Sequence, residues 1–120
     1  MSLDVAMITI DCVDPDGLAD WWSKAVGGEV NAVAPPGDFV MVAREGGPAL
    51  GGFQKVPDPT PGKNKVHLDF HSADKDAEVA RLVGLGGARE TGGRHSFGPE
   101  FDWVVLADPE GNAFCVAGGG

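Results

Sequence analysis

His67, Asp69 and His71 alternate along a short segment whose intervening residues, Leu68 and Phe70, are apolar. In an extended chain successive side chains point to opposite faces, so Val66, Leu68 and Phe70 form the core side and the two imidazoles and the carboxylate share the other. A second segment, Met7 to Val13, reads the same way: Ile8, Ile10 and Cys12 face inward, leaving Thr9 and Asp11 on the polar face. An imidazole beside a carboxylate is the minimum equipment for moving a proton near neutral pH. His67 is thus the candidate acid or base, and Asp69 or Asp11 its orienting partner. The same alternation also arises in any antiparallel sheet with one wet face, and the second reading is a polar surface that only binds a ligand.

These residues sit in an internal repeat. Ile8-Thr9-Ile10-Asp11-Cys12 leads into a helical stretch from Gly17 to Val26 that ends at Gly27-Gly28. Val66-His67-Leu68-Asp69-Phe70 leads into another, Ala73 to Leu85, that ends at Gly86-Gly87. Asp14 caps the first helix, with Pro15 and Asp16 in its first turn, and Leu18, Trp21, Trp22, Ala25 and Val26 fall on one face. Ser72 or Asp74 caps the second, with Val79, Leu82 and Val83 inward. Helices are expected near 15–26 and 73–85, and opening strands near 5–12 and 64–71.

The stretches Gly28 to Val33, Phe39 to Ala43 and Ala49 to Val56 read as further strands, broken by Pro35-Pro36-Gly37 and Glu45-Gly46-Gly47. Pro57 to Asn64 is a Pro-rich joint between a module of about 1–58 and one of about 63–120, which together make a single domain. Gly92 to Pro99 reads as a flexible loop and a candidate lid. The chain closes on Trp103-Val104-Val105-Leu106-Ala107, the turn Asp108-Pro109-Glu110-Gly111-Asn112, and Ala113-Phe114-Cys115-Val116, a hairpin in which Pro109 presets φ and Gly111 supplies the left-handed residue.

Composition narrows the partners. A net charge of −9 disfavours nucleic acid and anionic membranes, both of which need clustered Lys and Arg. No apolar run is long enough to span a bilayer and the N-terminus has no secretory pattern, so the reading is cytoplasmic. The two cysteines, Cys12 and Cys115, form no CxxC and read as reduced, buried thiols.

The repeated strand-helix order with an Asp-Pro-Glu-Gly-Asn hairpin near the C-terminus resembles the glyoxalase / bleomycin-resistance / extradiol-dioxygenase group, the vicinal oxygen chelate superfamily, and within it the glyoxalase-like branch. The resemblance covers essentially the whole chain. It implies an α+β fold of two βαβββ modules forming a cupped mixed sheet with helices on its outer face, and a homodimer. It also implies four positions for metal ligands, on the opening and last strands of each module. His67 matches one. The first-module counterpart is Met7 or Thr9, Cys115 stands where metal-binding members carry Glu, and the fourth position falls between Gly51 and Gln54, where only Gln54 offers a donor.

No cofactor is therefore expected, a divalent metal at His67 being the less favoured reading, with His71, Asp69, Asp11 and Cys115 as substitutes for the missing ligands. The favoured function is binding of a small organic molecule, as in bleomycin-resistance members, some of which neutralise cationic drugs with acidic clefts. The expected contacts are Cys115, Thr9, Gln54, Trp103, Phe53, Met41 and His71, with Phe39 and Phe97 as further aromatic lining. The alternative is a lyase, isomerase or dioxygenase of glyoxalase type built on His67, Asp69 and Asp11.

Overall fold

The computed structural model describes residues 5–32, 37–46, 49–61, 66–96 and 102–118, with backbone alone at 32, 49–50 and 92–96. It divides into two compact units, Met1–Pro59 and Thr60–Gly120. Each unit is one βαβββ module. The first runs β1 (Met7–Cys12), α1 (Pro15–Val26), β2 (Glu29–Ala32), β3 (Phe39–Ala43) and β4 (Ala49–Lys55). The second runs β5 (Leu68–His71), α2 (Lys75–Gly84), β6 (Arg89–Ser96), β7 (Asp102–Ala107) and β8 (Ala113–Gly118).

Both sheets have the same topology. The order is β1-β4-β3-β2 in the first unit and β5-β8-β7-β6 in the second, with the opening strand parallel to the last and the remaining pairs antiparallel. A parallel neighbour requires a crossover, and the helix supplies the first part of it. The entry to each helix is fixed by one capping interaction: the Asp14 carboxylate accepts from Gly17 N–H and the Asp74 carboxylate from Ala77 N–H, each at 3.2 Å. α1 stops at Gly27, whose φ of 72° is the left-handed conformation that ends helices. On α2 the Arg81 guanidinium bonds Glu78 and holds its carboxyl below the usual range.

The helix-side face of each sheet is the core. In the first unit Cys12, Val40, Val42 and Phe53 are buried with Leu18, Ala19, Trp21 and Trp22 of α1, the two indoles meeting edge to face at 4.9 Å. In the second, Val104, Leu106, Phe114 and Val116 are buried with Val79 and Leu82 of α2, and Phe70 meets Phe114 edge to face. Gly118 lets the helix approach: a Cβ there would lie 2.6 Å from Lys75 Cβ, and the Lys75 ammonium pairs with Asp102 at the start of β7.

Several expectations need correction. Val66 is 78% exposed and precedes β5, so it is not a core residue, and Val83 on α2 is 40% exposed. Residues 92–96, expected in a flexible loop, belong to β6; the register slips from Glu90↔Leu106 to Arg94↔Val104, so the glycines form an irregularity inside a strand and not a lid. Residues 97–99 of that stretch lie outside the described residues. A bulge also interrupts β4. Ile8 pairs with Leu50 and Thr9 with Gly52, leaving Gly51 as the extra residue at φ 72°.

Candidate functional site

The polar face of the second unit is built from β5, β8 and β7. Asp69 pairs with Cys115 and His71 with Ala117, while Cys115 pairs with Val105 and Ala117 with Trp103 on the other side. Residues in register share a face, so a row Asp69–Cys115–Val105 lies beside a row His71–Ala117–Trp103. Leu68, Phe70, Phe114, Val116, Val104 and Leu106 take the opposite, helix-side face.

His67 lies just before β5, and its Nε2 is 3.5 Å from Asp69 Oδ1; the two side chains are 37% and 69% exposed. Cys115 is 4% exposed, and its register partner Asp69 brings a carboxylate alongside it. One donor atom each from His67, Asp69 and Cys115 falls within 4.8 Å of the other two. This grouping comes from three causes: strand parity, the parallel β5–β8 register, and the two-residue step that returns His67 to the face of Asp69. Neither Cys12 nor Cys115 forms a disulfide.

The open face of the first unit is poorer in donors. Asp11 pairs with Gln54 and Gln54 with Phe39; Thr9 pairs with Gly52, Gly52 with Met41 and Met41 with Asn31. Thr9, Asp11 and Gln54 are exposed, and Met41 is half-buried. Phe39 and Met7 cover Gly52, where a Cβ would meet the Phe39 ring at 2.3 Å and the Met7 sulfur at 3.0 Å. The helix caps Asp14 and Asp74 stand 60 positions apart, which makes Met7 the counterpart of His67 and Thr9 that of Asp69.

Most residues singled out in the sequence thus fall on two sheet faces. His67, Asp69, His71, Cys115 and Trp103 share one in the second unit, and Thr9, Asp11, Gln54 and Met41 share one in the first. Phe53 does not belong with them. It is completely buried on the helix side with Val40 and Val42, because the bulge at Gly51 sets the parity of the rest of β4. Phe97 lies outside the described residues. The sequence reading missed Val105, Ala113 and Ala117, small apolar residues that floor the second face; the alternation of β7 and β8 around Cys115 carried that signal.

The model of the glyoxalase-like domain family matches residues 7–117. Among solved structures, a glyoxalase/bleomycin resistance protein/dioxygenase family enzyme from Burkholderia phytofirmans PsJN superposes with a TM-score of 0.76 at 21% identity, over 97% of this chain and 98% of that one. TnmS3, an antibiotic binding protein from Streptomyces sp. CB03234, gives 0.69 at 23% identity over 100% and 99%. TioX from Micromonospora sp. ML1 gives 0.67 at 14% identity over 98% and 99%. No curated protein sequence matches significantly. With its repeated βαβββ modules and a family match spanning nearly its whole length, the chain belongs to the glyoxalase-like domain family.

Proposed function

We propose that this protein binds a small organic molecule on the open face of the second unit's sheet. The observation that carries the reading is one surface holding both an apolar floor and a polar edge: Trp103, Val105, Ala113 and Ala117 beside His67, Asp69 and His71. An apolar patch with a few convergent polar groups is the usual make-up of a small-molecule site, the floor supplying affinity and the edge orientation. Trp103 offers a ring face for stacking, and Asp69 and His67 hydrogen-bond a polar substituent. The acidic chain favours a cationic or neutral aromatic ligand over an anionic one. The fold shared with an antibiotic binding protein supports the same reading.

The four-position donor set of metal-binding relatives is incomplete here, because Met7 or Thr9 at one position, Cys115 at another and the stretch from Gly51 to Gln54 at a third bring no imidazole or carboxylate, and binding of the organic molecule requires no metal. The protein acts as a cytoplasmic homodimer in this reading. The 3.5 Å approach of His67 to Asp69 favours one further reading, acid–base catalysis on the bound molecule as a lyase or isomerase.

Thermal-shift and fluorescence titrations with a cationic glycopeptide antibiotic and with neutral polycyclic aromatics, in the presence of a chelator, test the binding. Saturable binding that Trp103→Ala abolishes and Trp103→Phe retains is expected. Binding that survives Trp103→Ala, or a panel that produces no shift, overturns the site. Catalysis additionally requires turnover of a bound compound that His67→Gln stops without weakening its binding.

A further inference from the structure

We infer that Arg89, on the β6 side of the second unit's open face, pairs with a carboxylate of the bound molecule, so that the ligand class is a dipolar aromatic acid with an acidic group at one end and a basic group at the other. This rests on the ligand-binding reading above and narrows it. Register places the arginine on that face. Arg89 pairs with Ala107 and Ala107 with Ala113. Ala107 lies two residues beyond Val105 on β7 and Ala113 two residues before Cys115 on β8, so the row Ala113–Ala107–Arg89 runs beside the row Asp69–Cys115–Val105. A floor of small apolar side chains therefore has a carboxylate and an imidazole on its β5 side and a guanidinium on its β6 side. Three strand spacings of about 4.8 Å and one row of about 6.7 Å put the Asp69 and Arg89 backbones about 16 Å apart, too far for the two side chains to pair with each other. A molecule lying across the floor can meet both.

Arg89 is exposed and, among the described residues, no carboxylate bonds it, in a chain with 18 Asp and Glu against 9 Lys and Arg. Other bases do have such partners: Lys24 pairs with Asp20, Lys75 with Asp102 and Arg81 with Glu78. Neighbouring Glu90 pairs with Leu106 and so belongs to the opposite face. The guanidinium is available to a ligand, and its planar fork matches a carboxylate in two parallel hydrogen bonds where an ammonium would act as a point charge. A dipolar ligand carries no net charge, so the −9 of the chain does not repel it.

The repeat provides an internal control. The helix caps Asp14 and Asp74, 60 positions apart, make Glu29 the counterpart of Arg89. Glu29 opens β2 and pairs with Ala43, just as Arg89 opens β6 and pairs with Ala107. One place in the repeated module thus carries an acid in the first unit and a base in the second, so the strand pairing itself requires no cation there. The base stands in the unit whose face also carries His67, Asp69 and Trp103.

Calorimetric titration of the full chain with ciprofloxacin, an aromatic acid bearing a basic piperazine at its far end, and with its methyl ester, both in the presence of a chelator, tests the inference. The parent protein should bind the acid about tenfold more tightly than the ester, the scale of a charge-assisted pair. Arg89→Gln should lower the acid to the affinity of the ester and leave the ester unchanged, which also shows that the variant is folded. Arg89→Glu, which restores the charge of the first module, should make the ester the tighter ligand. Asp69→Asn should weaken acid and ester alike, since both keep the amine. Equal affinities for acid and ester in the parent, a preference for the acid that survives Arg89→Gln, or binding of neutral polycyclic aromatics without binding of the acid overturns the dipolar class and leaves the binding face standing. Failure of acid, ester and neutral aromatics alike, or binding of all of them that Trp103→Ala does not weaken, overturns the face and the inference with it.

Discussion

Asp108 has a carboxylate with zero exposure, and it organises the turn around it. One oxygen accepts from the N–H groups of Glu110 and Asn112, both at 2.9 Å, and the Asn112 side-chain amide spans both oxygens at 3.0 and 3.1 Å. Asp108→Ala leaves those partly buried donors without their acceptor and should cost about 1–3 kcal/mol in urea unfolding. Asp108→Asn, which keeps one carbonyl oxygen, should cost less. A loss under about 0.5 kcal/mol for the alanine variant would show that water replaces the carboxylate freely. At the candidate site, alternation in the sequence separates His67 and Asp69 from Leu68 and Phe70, since parity needs no knowledge of tertiary structure. Phe53 and Gln54 were both expected as contacts although they are neighbours on one strand, where alternation lets only one of them face the ligand; the pairing of β4 puts Gln54 on the open face and Phe53 in the core. The closeness of Asp69 to Cys115 was beyond the sequence because it depends on which strand pairs with β5 and in what register.

The elements most legible in the sequence are those whose ends are set by local chemistry. α1 begins and ends where the Asp14 cap, Pro15 and Gly27 place it, and α2 starts at the Asp74 cap, two residues inside the expected boundary. β6 was unreadable because its glycines lack the β-branched signal of a strand, and the strand is held instead by the residues on either side of them, Arg89–Glu90 and Arg94–Ser96, which pair with β7. Gly51 tests the same logic on β4. An alanine there would adopt φ 72° and set its Cβ 2.3 Å from the buried Phe53 ring, whereas Gly27 has the same φ with open space around it. Gly27→Ala should therefore cost about 1–2 kcal/mol, the backbone term alone. Gly51→Ala should cost about 1–3 kcal/mol more, the expense of overpacking a filled core. Equal losses in chemical denaturation would mean that the bulge relaxes and that Phe53 moves aside without cost.

At the scale of the whole molecule, charge and apolar exposure oppose each other. Each chain carries a net charge of −9, so two copies repel, yet Val5, Met7 and Val13 are exposed along and beside β1, and Val30 on β2. β1 and β2 are the outer strands of the first unit's sheet, and an outer strand with exposed apolar side chains gains by pairing or being covered. In the homodimer proposed above, apolar burial supplies the attraction and the net charge the resistance. Salt distinguishes this from an interface built on ion pairs, because raising ionic strength from about 0.01 M to 0.1 M shortens the screening length from about 30 Å to 10 Å. Light scattering at tens of micromolar protein should give twice the chain mass at the higher salt, with a dimer fraction that falls as salt is removed. A dimer that weakens on adding salt would point to charge pairing across the interface, and a mass of one chain at every salt concentration would exclude the homodimer. Val5→Ser with Val13→Ser locates the contact: dissociation places β1 at the interface, and an unchanged mass moves the interface elsewhere.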